Sequence, residues 1–393
     1  MVAVVAVLTR DGRHEVAPRP VDVARASPAE ATAALSAFVA GVRARDAAAL
    51  ASLAPAGRPA SEDLLAGIAA NAASLDLRAV TARYVDQVGV VGDDGSWSGV
   101  AEVTWRLGGL EVQAARTDVA VTFAPDADGL GIVGFGTAAA PATRVPLWLR
   151  GRLAVSRAPG VLVMVDGDRD VAEAFVDRAV RGVDVVRRVL ARFRGPVVVE
   201  VPATAADLDA SLGVPPGTYS GIAAVTASAG STAEDDAPTH VFVNPEVTAG
   251  LRRAGAQVVM THELVHVATD AVRSPVEPWL REGFADYVAL RDTRLPDRTA
   301  LGRAIEAARR DGVPKALPTA ADLNTRAADL QARYEEAWLA CRVIAERLGE
   351  RKLLEVYRAA RRGVSSAWSL QRAGLAPDTL IRAWQARLRR YVS

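Results

Sequence analysis

Three side chains within one short run have the types and spacing to act together: His262, Glu263 and His266 of His262-Glu263-Leu264-Val265-His266. On a helix, residues four apart share a face, so both imidazoles can present a nitrogen to one metal ion. Glu263 falls beside that pair, placed to hold a water as its base rather than to bind the metal. A catalytic zinc site takes three protein ligands and leaves the fourth position to water, so a third ligand must come from elsewhere. The other histidines do not offer themselves. His14 lies in a polar N-terminal stretch and reads as solvated, and His240 precedes Val241-Phe242-Val243 and reads as a strand residue. Glu282 is the better third ligand. It sits in Pro278-Trp279-Leu280-Arg281-Glu282-Gly283-Phe284-Ala285-Asp286-Tyr287, which reads as a second helix with proline in its first turn. Asp286, four residues past Glu282, shares its face and can accept a hydrogen bond from the non-ligating nitrogen of a zinc histidine.

His-Glu-x-x-His is short enough to arise by chance in an ordinary core helix. Its neighbours argue for more. Val258, Val259, Met260, Leu264, Val265 and Val267 make the helix apolar nearly all round, which reads as a buried helix. Two histidines and a glutamate there carry a desolvation cost unless something pairs them, and a metal does so. Together, His-Glu-Leu-Val-His followed by Pro-Trp-Leu-Arg-Glu-Gly-Phe-Ala-Asp-Tyr resembles the gluzincins, the thermolysin-like and aminopeptidase-like metallopeptidases. The resemblance implies Zn2+ on His262, His266 and Glu282, with Glu263 as general base. It also implies a peptide or protein substrate, laid along a sheet edge strand beside the active-site helix. The family's Glu-x-x-x-Asp is matched by Glu282 and Asp286, and His262 is the histidine that Asp286 would orient. Gluzincins also place a Tyr or His in the lower lobe to stabilise the oxyanion. By order along the chain that residue is Tyr334, with a plain core role as the alternative. The spacing from His266 to Glu282 is shorter than in thermolysin or the large aminopeptidases, as in a compact branch of the family. The resemblance spans about residues 145–393, and its specific part is Thr261–Tyr287.

The elements that must position these residues divide the chain into three. Residues 1–27 form a polar, proline-bearing tail behind an apolar run at 2–8, which reads either as a first strand or as the remnant of a membrane anchor. Such an anchor would place the protein at a membrane or outside the cytoplasm. Residues 28–140 read as an α+β unit. Ser27-Pro28-Ala29-Glu30 starts a helix that the apolar stripe carries to about Ala54, a second helix covers 61–74, and strands follow at 76–91, 97–107, 110–123 and 130–136. That order resembles the cone-shaped nuclear-transport-factor-2-like fold, which can hold a small ligand. The segment 141–150 is the boundary. Residues 145–393 form the second unit, expected as a mixed sheet, an active-site helix and a mainly helical C-terminal lobe. Its strands are expected within 153–165 and at 196–201, 222–226 and 240–244, where either of the last two can be the edge. A helix is expected from Asp170 to about Phe193, and others over 298–310, 326–348, 351–360 and 379–391. The fold class is therefore α+β.

Composition narrows the partners. With 47 basic and 46 acidic residues the net charge is +1, which favours neither nucleic acid nor an anionic surface. The basic runs Arg361-Arg362 and Arg387 to Arg390 have acidic residues among them and no aromatic platform, so no nucleic-acid partner is expected. The single cysteine, Cys341, excludes an intramolecular disulfide and falls on the apolar stripe Tyr334, Trp338, Cys341, Ile344, Leu348. A retained but inactive zincin fold serving as a scaffold, or ligand binding in the N-terminal unit, are the alternative functions. The oligomeric state is left unassigned.

Overall fold

The computed structural model describes residues 26–392 apart from 128, 138–139, 141–142, 232–235 and 294. The apolar run at 2–8, His14 and all of the 1–27 tail except Ala26 and Ser27 lie outside the described residues.

Helix α1 (Pro28–Ala44) starts as its signal requires, with the Ser27 hydroxyl accepting from the Glu30 N–H and proline at the first position. It does not run on to Ala54. Arg45 turns left-handed at φ 59°, and Asp46 accepts from the N–H groups of Ala48 and Ala49 to open a separate short helix, α2 (Ala47–Ala51). Helix α3 (Pro59–Ser74) precedes an antiparallel sheet in the order β1 (Leu77–Val88), β2 (Trp97–Leu107), β3 (Ala115–Asp126), β4 (Gly129–Phe135). The third strand begins later than the expected 110, because residues 108–114 form a turn pinned by the Glu111 carboxylate on the Leu107 N–H at 2.7 Å.

The second half is built on a mixed sheet in the order β5-β6-β7-β9-β8. Its strands are β5 (Ala154–Ala158), β6 (Val161–Val165), β7 (Val197–Val201), β8 (Ala224–Ser228) and β9 (Thr239–Val243). β6, β7 and β9 run parallel, and the two outer strands are antiparallel to their neighbours. Of the two candidate edge strands, β8 is therefore the edge and β9 lies inside. The crossover from β6 to β7 is helix α4 (Arg169–Val189), which starts one residue before the expected Asp170 and stops short of Phe193. Helices α5 (Ala205–Leu212) and α6 (Pro245–Ala249) flank β8 and β9 in the chain. Then come α7 (Arg253–Thr269), carrying the two histidines, and α8 (Pro278–Ala289), carrying Glu282. The remainder is helical: α9 (Asp297–Ala300), α10 (Gly302–Asp311), α11 (Leu330–Leu348), α12 (Glu350–Ala360), α13 (Ser366–Ala373) and α14 (Pro377–Val392). The helix expected over 298–310 is thus two, α11 starts four residues after Arg326, and α13 was not foreseen. The fold is α+β.

The sheet of the second half is buried on both faces, which is why β6 reads as the unbroken apolar run Val-Leu-Val-Met-Val. Val161, Val163, Val165, Val197 and Val199 share one core with α4, α7, α8 and α11. Leu162, Met164 and Val198 belong to the core of the N-terminal half, with Phe38, Trp97 and Phe123. At the expected boundary, Val145, Leu147, Trp148 and Leu149, with Leu153 just beyond it, lie inside that same core. One side chain ties them down. Asn71, fully buried on α3, donates to the carbonyls of Trp148 and Gly151 and accepts from the Leu153 N–H at 2.9 Å. Asn71→Ala strands three backbone groups, those of Trp148 and Leu153 buried and that of Gly151 half-buried, so a loss of about 3 kcal/mol is expected in denaturant unfolding. A loss below about 0.5 kcal/mol would mean that the segment holds itself.

His240, read as a strand residue, is one. On β9 it faces the junction of the two cores, with Nδ1 2.6 Å from Glu200 Oε1 of β7 and Nε2 2.6 Å from Glu111 Oε1. Two carboxylates on opposite ring nitrogens require a shared proton. Burial opposes the charged ring, but the hydrogen bonds it donates to the Glu111 and Glu200 carboxylates outweigh that and lift the His240 pKa from 6.5 to about 9. The folded state therefore binds this proton more tightly than the unfolded chain. The stabilisation is complete below 6.5 and is lost as pH rises through about 9. Thermal unfolding across that window should show falling stability in the parent chain and a flatter profile in His240→Gln. Parallel profiles would remove His240 as the source.

Candidate metal centre

Helix α7 packs against the edge strand β8, and α8 packs against α7. The chain reverses after α7 at Asp270, left-handed at φ 52°. Contrary to expectation, α7 is not buried all round. Met260, Leu264 and Val265 are in the core, but Val258 and Val259 are half-exposed and line a cleft of about 200 Å3 with Ile222, Ala224, Gln331 and Tyr334. His262, Glu263 and Asp286 open into that cleft. Close approaches set the helices' places. A side chain at Gly283 would meet the Ala337 carbonyl and the Cys341 sulfur, so α8 lies directly on α11. A side chain at Gly182 would meet Leu264 at 2.7 Å, so α4 lies directly on α7.

The residues expected as ligands come together. His262 Nε2 and His266 Nε2 are 2.9 Å apart, and Glu282 Oε2 is 3.2 and 3.1 Å from them. Donors around a tetrahedral ion bound at ~2.0–2.1 Å stand ~3.3 Å apart, so this triangle has nearly the size a zinc site needs. No other trio of His, Cys, Asp or Glu among the described residues converges in this way. Asp286 Oδ1 lies 2.7 Å from His262 Nδ1, which fixes the proton there and turns the lone pair of Nε2 toward the other two donors. Behind His266 the corresponding Nδ1 is buried and has no partner among the described residues.

The electrostatics follow from this crowding. Burial opposes charging His262, but the Asp286 carboxylate overrides it and holds the ring's pKa well above the ordinary value. Burial alone would raise Glu282, yet His266 and His262 hold it well below the usual carboxylate range. Without a metal the triangle thus retains a proton that an incoming cation must displace.

Glu263 stands outside the triangle, 6% exposed, its Oε2 accepting from the Thr226 hydroxyl of β8 at 2.6 Å. Tyr334 lies in the second turn of α11, with its ring 6.1 Å from the His262 ring and near edge-on. Burial, then the carboxylates of Glu282, Glu263 and Asp286, push its hydroxyl far above the usual range, so it stays a protonated donor. Cys341 is buried behind Gly283 and takes no part in the site.

Three contributors were not singled out in the sequence. Thr226 is 37 residues from Glu263, and no local pattern links them. Arg281 donates from Nε to Glu282 Oε1 at 2.7 Å. Gly283 could have been read from Glu-Gly-Phe, since glycine inside an apolar helix signals close packing. No protein-family model matches this chain, and no curated protein is similar to it in sequence.

Asp286→Ala should leave the fold intact and weaken zinc binding by ~10–100-fold, measured by competition with a chelator. Unchanged affinity would make Asp286 a bystander.

Proposed function

We propose that this chain is a zinc-dependent peptidase of the gluzincin kind, with a zincin arrangement in its second half and a cone-like, nuclear-transport-factor-2-like unit in its first. The observation that carries the reading is the triangle of donor atoms with Glu263 beside it and outside it. Three electron-pair donors within 3.2 Å of one another in a buried site repel unless a proton or a metal ion sits among them, and their spacing is nearly that of a zinc ligand set. Three ligands, rather than four, leave a position open for water, as a hydrolytic site requires.

His262, His266 and Glu282 would hold the ion, and Asp286 orients His262. When bound, zinc lowers the pKa of a water toward ~7 and polarises a carbonyl. Glu263, free of the ligand set, takes the proton from that water and passes it to the leaving amine. Tyr334, kept protonated, donates to the oxygen that gains charge as the carbonyl is attacked. The edge strand β8 offers unpaired backbone groups along the cleft, to which an extended peptide can pair. The reading of a ligand-binding N-terminal unit is less well supported, because Phe38, Ile68, Phe123 and Ile132 fill the space between its helices and sheet.

Protein purified without chelator should carry about one zinc per chain by elemental analysis. It should cleave members of a mixed peptide library, lose cleavage with chelator and regain it with zinc. Glu263→Gln should keep the metal and lose ~10²–10⁴-fold in turnover. Parent protein that takes up no zinc would end the metal reading. Zinc-loaded protein that cleaves no peptide would leave a binding or scaffold role.

A further inference from the structure

We infer that Arg281 decides which oxygen of Glu282 faces the metal, holding that carboxylate to one-oxygen ligation; the inference rests on the metal reading above. The two oxygens of Glu282 have divided their partners. Oε2 meets both imidazoles, at 3.2 and 3.1 Å, while Oε1 accepts from Arg281 Nε at 2.7 Å. The contact differs from an ordinary surface ion pair, which contributes little. Glu282 is only 8% exposed and Arg281 33%, so the hydrogen bond works on a desolvated oxygen. A carboxylate free to rotate can bring both oxygens to one ion and fill the position that a hydrolytic site leaves to water. With Oε1 engaged, Glu282 supplies a single donor and that position stays open. Arg281 is thus a positioning residue that acts through Glu282.

Side-chain chemistry gives a clean test. Gln places an amide nitrogen at the same point along the chain as Arg Nε, without the charge. Met places a methyl group there, of similar size and with no donor. Arg281 is partly exposed, so neither replacement opens a cavity in the core. Zinc affinity by chelator competition and the visible spectrum of the cobalt(II)-loaded protein are measured for the parent chain, Arg281→Gln and Arg281→Met. The parent should show the intense bands of a four-coordinate cobalt site. Arg281→Met should lose ~10-fold or more in zinc affinity, in the range of other outer contacts to metal ligands, and its cobalt bands should weaken toward a five-coordinate site. Arg281→Gln should retain the parent spectrum and most of the affinity. A crystal structure of the zinc-loaded parent should show one Glu282 oxygen at the metal and the other at Arg281. The inference fails if Arg281→Met matches the parent in both measurements, if Arg281→Gln behaves as Arg281→Met does, or if both Glu282 oxygens reach zinc in the parent. A parent chain that binds no zinc overturns the metal reading as well, so the two failures are distinct.

Discussion

Three electron-pair donors brought within 3.2 Å of one another in a buried pocket are the constraint on which this structure turns. Desolvated and facing each other, they raise the free energy of the fold unless a proton or a metal lies among them. The surrounding contacts act to keep them there. Asp286 sets the tautomer of His262, Arg281 occupies the spare oxygen of Glu282, and Thr226 draws Glu263 away from the triangle. Each leaves one atom of its partner free and commits the other, which is how a cluster of five titratable groups acquires distinct roles.

Helix packing supplies the precision. His262 and His266 come from one helix and Glu282 from another, so the triangle holds only while α7 and α8 keep their separation. Glycines fix it from behind. Gly182 lets α4 press on Leu264 of α7, and Gly283 lets α11 press on α8. The second contact also carries Tyr334 to the His262 ring, because Tyr334 lies on the same helix as the Ala337 carbonyl against Gly283. The stacked pair Phe284 and Tyr357, with ring centroids 4.3 Å apart, continues that packing away from the cleft.

Local signals made much of this legible. Spacing on a helix depends only on neighbours, so the shared face of His262 and His266 could be read directly, as could the second helix with Glu282 and Asp286. The helix start at Ser27-Pro28 was legible for the same reason. The extension of α1 to Ala54 was misread because Leu50 continues the apolar stripe in a separate helix, while the left-handed turn at Arg45 carries no glycine to announce it. Contacts between distant segments left no trace. Thr226 reaches Glu263 across 37 residues, and Glu111 reaches His240 across 129. An apolar run such as 145–149 looks the same in sequence whether it links two units or lies in a core.

The last of these contacts changes what the N-terminal half does for the site. Glu111 comes from that half, and its bond to His240 fixes β9 at the junction of the two cores. β9 in turn pairs with β8, His240 opposite Ala227 and Val241 opposite Thr226. Thr226 holds the carboxylate of Glu263. Through β9 and β8, these contacts join the turn at Glu111 to the Glu263 carboxylate beside the donor triangle. Leu162, Met164 and Val198 close the same junction with apolar surface that would otherwise face water. One face of the sheet beside α7 is covered by the N-terminal half, so that half belongs to the scaffold that positions Glu263.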